Sequence, residues 1–288
     1  MFLDHILIAT NDLDQSAEIM KDIGFELTAQ GVHRDRGTAN RLILFDGTYL
    51  ELIGVNDLET VKSNRADFLQ FLDRKQGLYM FALGDDDLQG QSRRLAGSEI
   101  ITSDVKDSRR FNTDGTVAYE WEYLSVDPLD SPGSETFFID HKSSFVDRYG
   151  SDLDRKHSNG IDHISAITLF VSNVNKSCEQ WSKILGKQYA QTIYSADLEA
   201  QLYVYKTDNF DLEIATAVGP GVVSNHLEKF GDSIGILSLH SNDLGNTTNV
   251  LSKYKSIGQQ DPMFEVYDGL IIRLDASDVR LCDLYPII

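Results

Sequence analysis

One order of elements recurs four times along the chain, and that repeat limits the fold more than any other feature. Residues 2–9 read as a strand rich in Leu and Ile. Asn11 or Asp12 caps a helix over 14–22, which Gly24 stops. Residues 25–29 read as a short strand, and 41–45 with 49–55 as a hairpin around Asp46-Gly47. The second copy has a strand at 78–83, a helix at 87–95 and strands at 117–126 and 136–140. The third has a strand at 161–171, a helix at 175–185 and a hairpin of 198–205 with 210–217. The fourth has a strand at 234–240, a helix at 247–254 and strands at 271–274 and 279–285.

Four βαβββ units in 288 residues average 72 residues each. One such unit neither closes its sheet nor buries both faces, so it must pair with another. Each helix is followed by hairpins, which force antiparallel neighbours and rule out an all-parallel sheet. The expected class is therefore α+β, with four units paired into two domains. The polar stretch 147–160 divides them into 1–150 and 151–288.

Composition removes several functions. Lys plus Arg is 26 and Asp plus Glu is 45, a net charge of −19. Such a chain repels a phosphate backbone, so no nucleic acid partner is expected. The nearest thing to a basic patch is Arg34, Arg36 and Arg41, and Asp35 dilutes it. No window of 18 apolar residues exists, so no membrane span is expected. The start of the chain lacks a signal-peptide pattern, and the two cysteines, Cys178 and Cys282, suit a reduced interior. The cytoplasm is the expected compartment. Motifs for a dinucleotide, a serine nucleophile, a phosphate loop or a helical zinc site are all missing.

Leu3-Asp4-His5-Ile6, His33 with Gly37-Thr38-Ala39-Asn40, and Tyr49-Leu50-Glu51-Leu52-Ile53-Gly54 carry a resemblance. Trp121, Phe137-Phe138-Ile139-Asp140 and His157-Ser158-Asn159-Gly160 extend it. The chain resembles the glyoxalase-like domain family of the vicinal oxygen chelate superfamily, a bacterial protein by that likeness. The likeness is specific over 1–160 and rests on unit order beyond. It implies cup-shaped mixed sheets, an active site inside the cup and a small-molecule substrate. It implies a lyase, isomerase or dioxygenase type of enzyme. A metal-free pocket that sequesters small compounds, as in bleomycin-resistance proteins, is the rival reading.

In that superfamily the positions of His5 and Glu51 face each other and commonly bind a divalent metal. Imidazole with carboxylate suits Fe, Mn, Zn, Co or Ni. The partner unit should complete the ligand set, near Tyr79 or Met80 and near Phe138, where neither Met nor Phe is a suitable donor. Asp140 and His141 fall close by but off register. His33 is a candidate general base or third ligand, and Glu51 a catalytic carboxylate. Asn40, Arg41 and Trp121, with His33, are candidates for binding substrate.

The second domain echoes the first. Asp211-Leu212-Glu213-Ile214 repeats the surroundings of Glu51, and Ile161-Asp162-His163-Ile164 those of His5. Counting back from the helix, however, puts Ala166 and not His163 at the place of His5. Cys282 falls near the last ligand position as a lone soft donor. No metal is expected in this domain. Exchange of units between two copies, giving a homodimer, stays open.

Overall fold

A computed structural model describes residues 1–112, 114–150, 155–257, 261–267 and 270–275. The first unit is β1 (Phe2–Thr10), α1 (Leu13–Asp22), β2 (Gly31–His33), β3 (Thr38–Leu44) and β4 (Tyr49–Val55). Two helices, α2 (Leu58–Asn64) and α3 (Ala66–Arg74), lead to the second unit. That unit is β5 (Gly77–Gly84), α4 (Leu88–Gly97), β6 (Lys106–Phe111), β7 (Val117–Ser125) and β8 (Glu135–His141). A short α5 (Phe145–Tyr149) follows. The third unit is β9 (Ile161–Phe170), α6 (Val174–Leu185), β10 (Gln191–Ser195), β11 (Ala200–Lys206) and β12 (Asp211–Ala217). Helix α7 (Val222–Phe230) precedes the fourth: β13 (Ser233–Ser241), α8 (Leu244–Leu251), β14 (Lys255–Ile257), β15 (Met263–Tyr267) and β16 (Leu270–Asp275). The chain is α+β, with two cup-like sheets of eight strands built from paired units.

The first sheet closes into a barrel in the order β1-β4-β3-β2-β6-β7-β8-β5. The second is open, in the order β10-β11-β12-β9-β13-β16-β15-β14. Within a unit the first and last strands lie parallel, as β1 with β4 and β9 with β12. Units join through antiparallel first strands, β1 with β5 and β9 with β13. Helices α1, α4, α6 and α8 pack on the outer faces of the sheets, while α2, α3 and α7 pack against the inner faces. Asp12, Asp87, Asn173 and Asp243 each cap a helix by accepting a backbone N–H, which ends strand and starts helix at the same point in all four units.

Two expectations need correction, and a third falls partly outside the described residues. Residues 25–29 are not a strand: Phe25 drops into the core below α1, Thr28 makes one ladder-like bond to Leu42, and pairing begins at Gly31. Strand β6 went unforeseen because Lys-Asp-Ser-Arg-Arg-Phe carries no apolar alternation. The hairpin that closes the fourth unit is β15 with β16, while 279–285 and Cys282 lie outside the described residues.

Candidate functional site

The inner face of the barrel holds the candidate site. In the pairing of β1 with β5, Leu3 faces Leu83 and His5 faces Ala82, so Asp4 is the extra residue of a bulge. The bulge brings Asp4 beside two imidazoles. Its Oδ1 lies 2.7 Å from His5 Nδ1 and 3.2 Å from His141 Nε2. Burial alone would raise the Asp4 pKa, but the hydrogen bonds from His141 and His5 outweigh it and hold the carboxyl well below the usual range. An ionised Asp4 accepts from Nδ1–H of His5, and this fixes His5 Nε2 toward the interior. Tyr49, directly across the ladder, stacks on the His5 ring at 4.6 Å.

Glu51 pairs with Leu7 on β1 and Leu42 on β3. It is 5% exposed, yet within reach of three polar side chains. Asn40, its diagonal neighbour on β3, donates Nδ2–H to Oε1 at 2.8 Å. His33 Nε2 stands 3.9 Å from the same oxygen. His5 Nε2 stands 3.6 Å from the other, Oε2. The carboxylate is thus flanked by two imidazoles. Burial pushes the His33 pKa down to about 4, so its ring is neutral at pH 7. Its Nδ1 is 3.1 Å from Thr38 Oγ1.

These groups line a cavity of about 60 Å³, with Met80, Trp121, Phe137, Ile139 and His141 on the wall of the second unit. Trp121 meets His33 edge-on at 6.2 Å. The cavity shares Arg36, Arg65, Met80, Trp121 and Phe137 with an outer cleft of about 820 Å³. His5, Glu51, His33, Asn40 and Trp121 therefore meet. Arg41 does not: alternation along β3 turns it outward, where it pairs with Asp14 at 3.0 Å. Phe138 also points away, into the core between barrel and helices, and Phe137 takes the inward place. His141 is the residue sequence reasoning missed. The alternation Phe137, Ile139, His141 would have found it.

The second cup differs in chemistry. Asp211 faces Ala166 and Glu213 faces Thr168, just as Tyr49 faces His5 and Glu51 faces Leu7. Ala166 thus holds the place of His5. Glu213 is sealed by Arg273 at 2.8 Å and Thr168 at 2.5 Å, with all three buried. His163 lies toward the outside, where Asp162 Oδ1 is 2.7 Å from both His163 Nδ1 and His240 Nδ1. These three place ligand atoms within 4.8 Å of one another, although no metal was expected in this domain. A second bulge at Asp162 makes the arrangement, repeating the device at Asp4.

The barrel supplies two donors suited to a shared divalent ion. His5 Nε2 and Glu51 Oε2 are both acceptors when Nδ1 carries the proton, and two acceptors facing each other favour a cation between them. Met80 and Phe137 add no ligand, so an ion there would keep open positions. Tyr49, its pKa raised by burial, stays a neutral phenol.

A family model for the glyoxalase-like domain matches residues 3–185. No curated protein matches the sequence. A hypothetical protein from Staphylococcus aureus superposes with a TM-score of 0.67 at 17% identity, covering 96% of this chain and 99% of that one. A mutant 4-hydroxymandelate synthase from Streptomyces coelicolor superposes with a TM-score of 0.64 at 9% identity, covering 88% of this chain and 74% of that one. Both likenesses concern the fold. Four βαβββ units, two cups and the family match together make the chain a member of the glyoxalase-like domain family, within the vicinal oxygen chelate superfamily.

Proposed function

We propose that the barrel is the active site of an enzyme acting on a small oxygenated molecule, with a divalent ion held by His5 and Glu51. The carrying observation is the 3.6 Å approach of His5 Nε2 to Glu51 Oε2, with the far nitrogen of His5 tied to Asp4. An ion bound there supplies Lewis-acid polarisation of substrate oxygens. The rest is done by the protein's own groups. Asn40 holds Oε1 of Glu51 and fixes the plane of the carboxylate. His33, neutral and on the same side, accepts a proton from the substrate at Nε2. Trp121 and Phe137 wall the cavity and limit water. Proton transfer next to a polarised oxygen is lyase or isomerase chemistry; open ion positions are also what a dioxygenase needs.

A second reading is metal-free sequestration of a small compound in the cytoplasm. It is favoured by Met80 and Phe137, which line the wall where further ligands would stand. Metal analysis of protein purified without chelator separates the two. The enzyme reading expects a stoichiometric divalent ion that His5→Ala and Glu51→Ala both remove. Absence of any divalent ion even at saturating concentration would overturn it in favour of sequestration.

A further inference from the structure

The chain carries a large excess of negative charge, yet the inner cavity is lined by three guanidiniums, from Arg36, Arg65 and Arg110, against the single carboxylate of Glu51. Arg65 is accounted for by Asp67 at 3.1 Å and Tyr79 at 3.1 Å. The other two are not. Arg36 donates to Ser108 Oγ at 3.2 Å and lies over the Tyr123 ring at 4.9 Å. Arg110 donates to the Tyr119 hydroxyl and lies over that ring, and its Nε is buried with no acceptor. Neither has a carboxylate partner among the described residues. Burial and the nearby charge of Arg65 both work against the charged form of Arg36.

Two further observations point the same way. Gly31 leaves room for the Arg110 guanidinium, which a Cβ there would strike. Asn40 Oδ1, on a side chain 3% exposed, is a buried acceptor with no partner in a cavity otherwise rich in donors. Half-buried guanidiniums held by aromatic faces, and not by anions of the protein, are kept in place at a cost in charge repulsion. A ligand that brings its own anion removes that cost.

Resting on the reading above, we propose that the substrate is an organic anion whose carboxylate or phosphate group is bound by Arg36 and Arg110. Arg36 lines both the small inner cavity and the outer cleft. The anionic group sits at their border. A cavity of about 60 Å³ holds the equivalent of roughly two water molecules, so the reacting end of the ligand is small. Its oxygens face Glu51 and His5, while a donor on it reaches Asn40 Oδ1.

Calorimetric titration of the intact protein tests this. The probes are lactate and glycolate, whose hydroxyl supplies the donor, their neutral amides lactamide and glycolamide, and inorganic phosphate. One of the anions binds in the millimolar range or tighter and its amide does not. Arg36→Gln and Arg110→Gln each weaken it about tenfold or more, the loss of one charge-assisted pair. Arg36→Lys, which keeps the charge, retains most of the binding and guards against misfolding as the cause. Phosphate against carboxylate identifies the source of the anion. Equal binding of acid and amide, indifference to both arginine variants, or no response to any anion overturns the inference. Glu51→Gln separates the two proposals. Anion binding that survives while no metal binds to the unaltered protein leaves the inference standing and removes the metal reading. Metal bound at Glu51 with no anion preference does the reverse.

Discussion

Asp4 decides which nitrogen of His5 faces the cavity. An amide at that position no longer offers an ionised acceptor to both imidazoles. Asp4→Asn should therefore lower the affinity of the barrel for Co(II) or Zn(II) about 10–100-fold, read by titration. An unchanged affinity would mean that the tautomer of His5 is set by something else. Arg41 gives the opposite expectation. Its partner Asp14 is 80% exposed, and such pairs contribute about 0–1 kcal/mol. Arg41→Ala should leave metal and anion binding unchanged and shift the denaturation midpoint little; a clear loss of ligand binding would contradict its outward placement. His5 and Glu51 could be paired because their short motifs resemble those of the glyoxalase-like family, whereas strand periodicity alone gives each a face only relative to its neighbours. His141 was not, because the count started at Phe138, one residue off, and an error of one reverses every side chain of a strand. The Asp4 bulge leaves no mark in the sequence beyond a buried-looking Asp, so the second imidazole on that carboxylate stayed hidden.

At the level of elements, the helices and hairpins with their own caps and turns could be read. Asp12 caps α1 where its signal places it, and α4 and α6 lie within two residues of the ranges read from the sequence. The elements that went unread take their stability from the fold around them. Strand β6 is polar along its length and is held by β7 and by barrel closure. Helices α2 and α3 are the exception: Phe68, Phe71 and Leu72 stand at helical spacing, and with Val61 they pack over the mouth of the barrel, next to Tyr79. Register counting did succeed in β9, where Ala166 takes the place of His5. Its consequence is a second cup whose carboxylate is closed by Arg273. Arg273→Met leaves Glu213 buried without its countercharge and should cost about 3–5 kcal/mol. Urea denaturation reads that loss, while metal and anion titrations of the folded variant should match the unaltered protein. A change in ligand binding without a change in stability would assign the second cup a part in the site.

For the whole molecule, the question is whether the two sheets unfold together. A chain of 288 residues commonly splits into domains that melt separately. Here one apolar cluster runs from Leu3, Ile6, Phe81 and Phe138 of the barrel to Ile167, Trp181, Phe210 and Leu237 of the second sheet. Trp181 stacks on Phe81 at 5.5 Å and donates to the Pro132 carbonyl at 2.9 Å. The Asp208-Asn209 turn reaches back to β1, where Asn209 both donates to and accepts from the backbone of Leu3. His157 adds a strap: it accepts from Glu26 N–H, faces the Leu44 carbonyl and packs between Phe25 and Phe45. An interface this apolar and this interlocked couples the halves. In a Trp121→Phe background, Trp181 is the remaining indole and reports on that interface. Its fluorescence and far-ultraviolet circular dichroism should follow one transition in urea. Phe81→Ala, which opens a void beneath Trp181, should lower stability by about 3–5 kcal/mol and move both signals together. Two separated transitions in the unaltered interface, or a Phe81 variant in which fluorescence shifts and dichroism does not, would mean that the barrel folds on its own and carries its site without help from the second sheet.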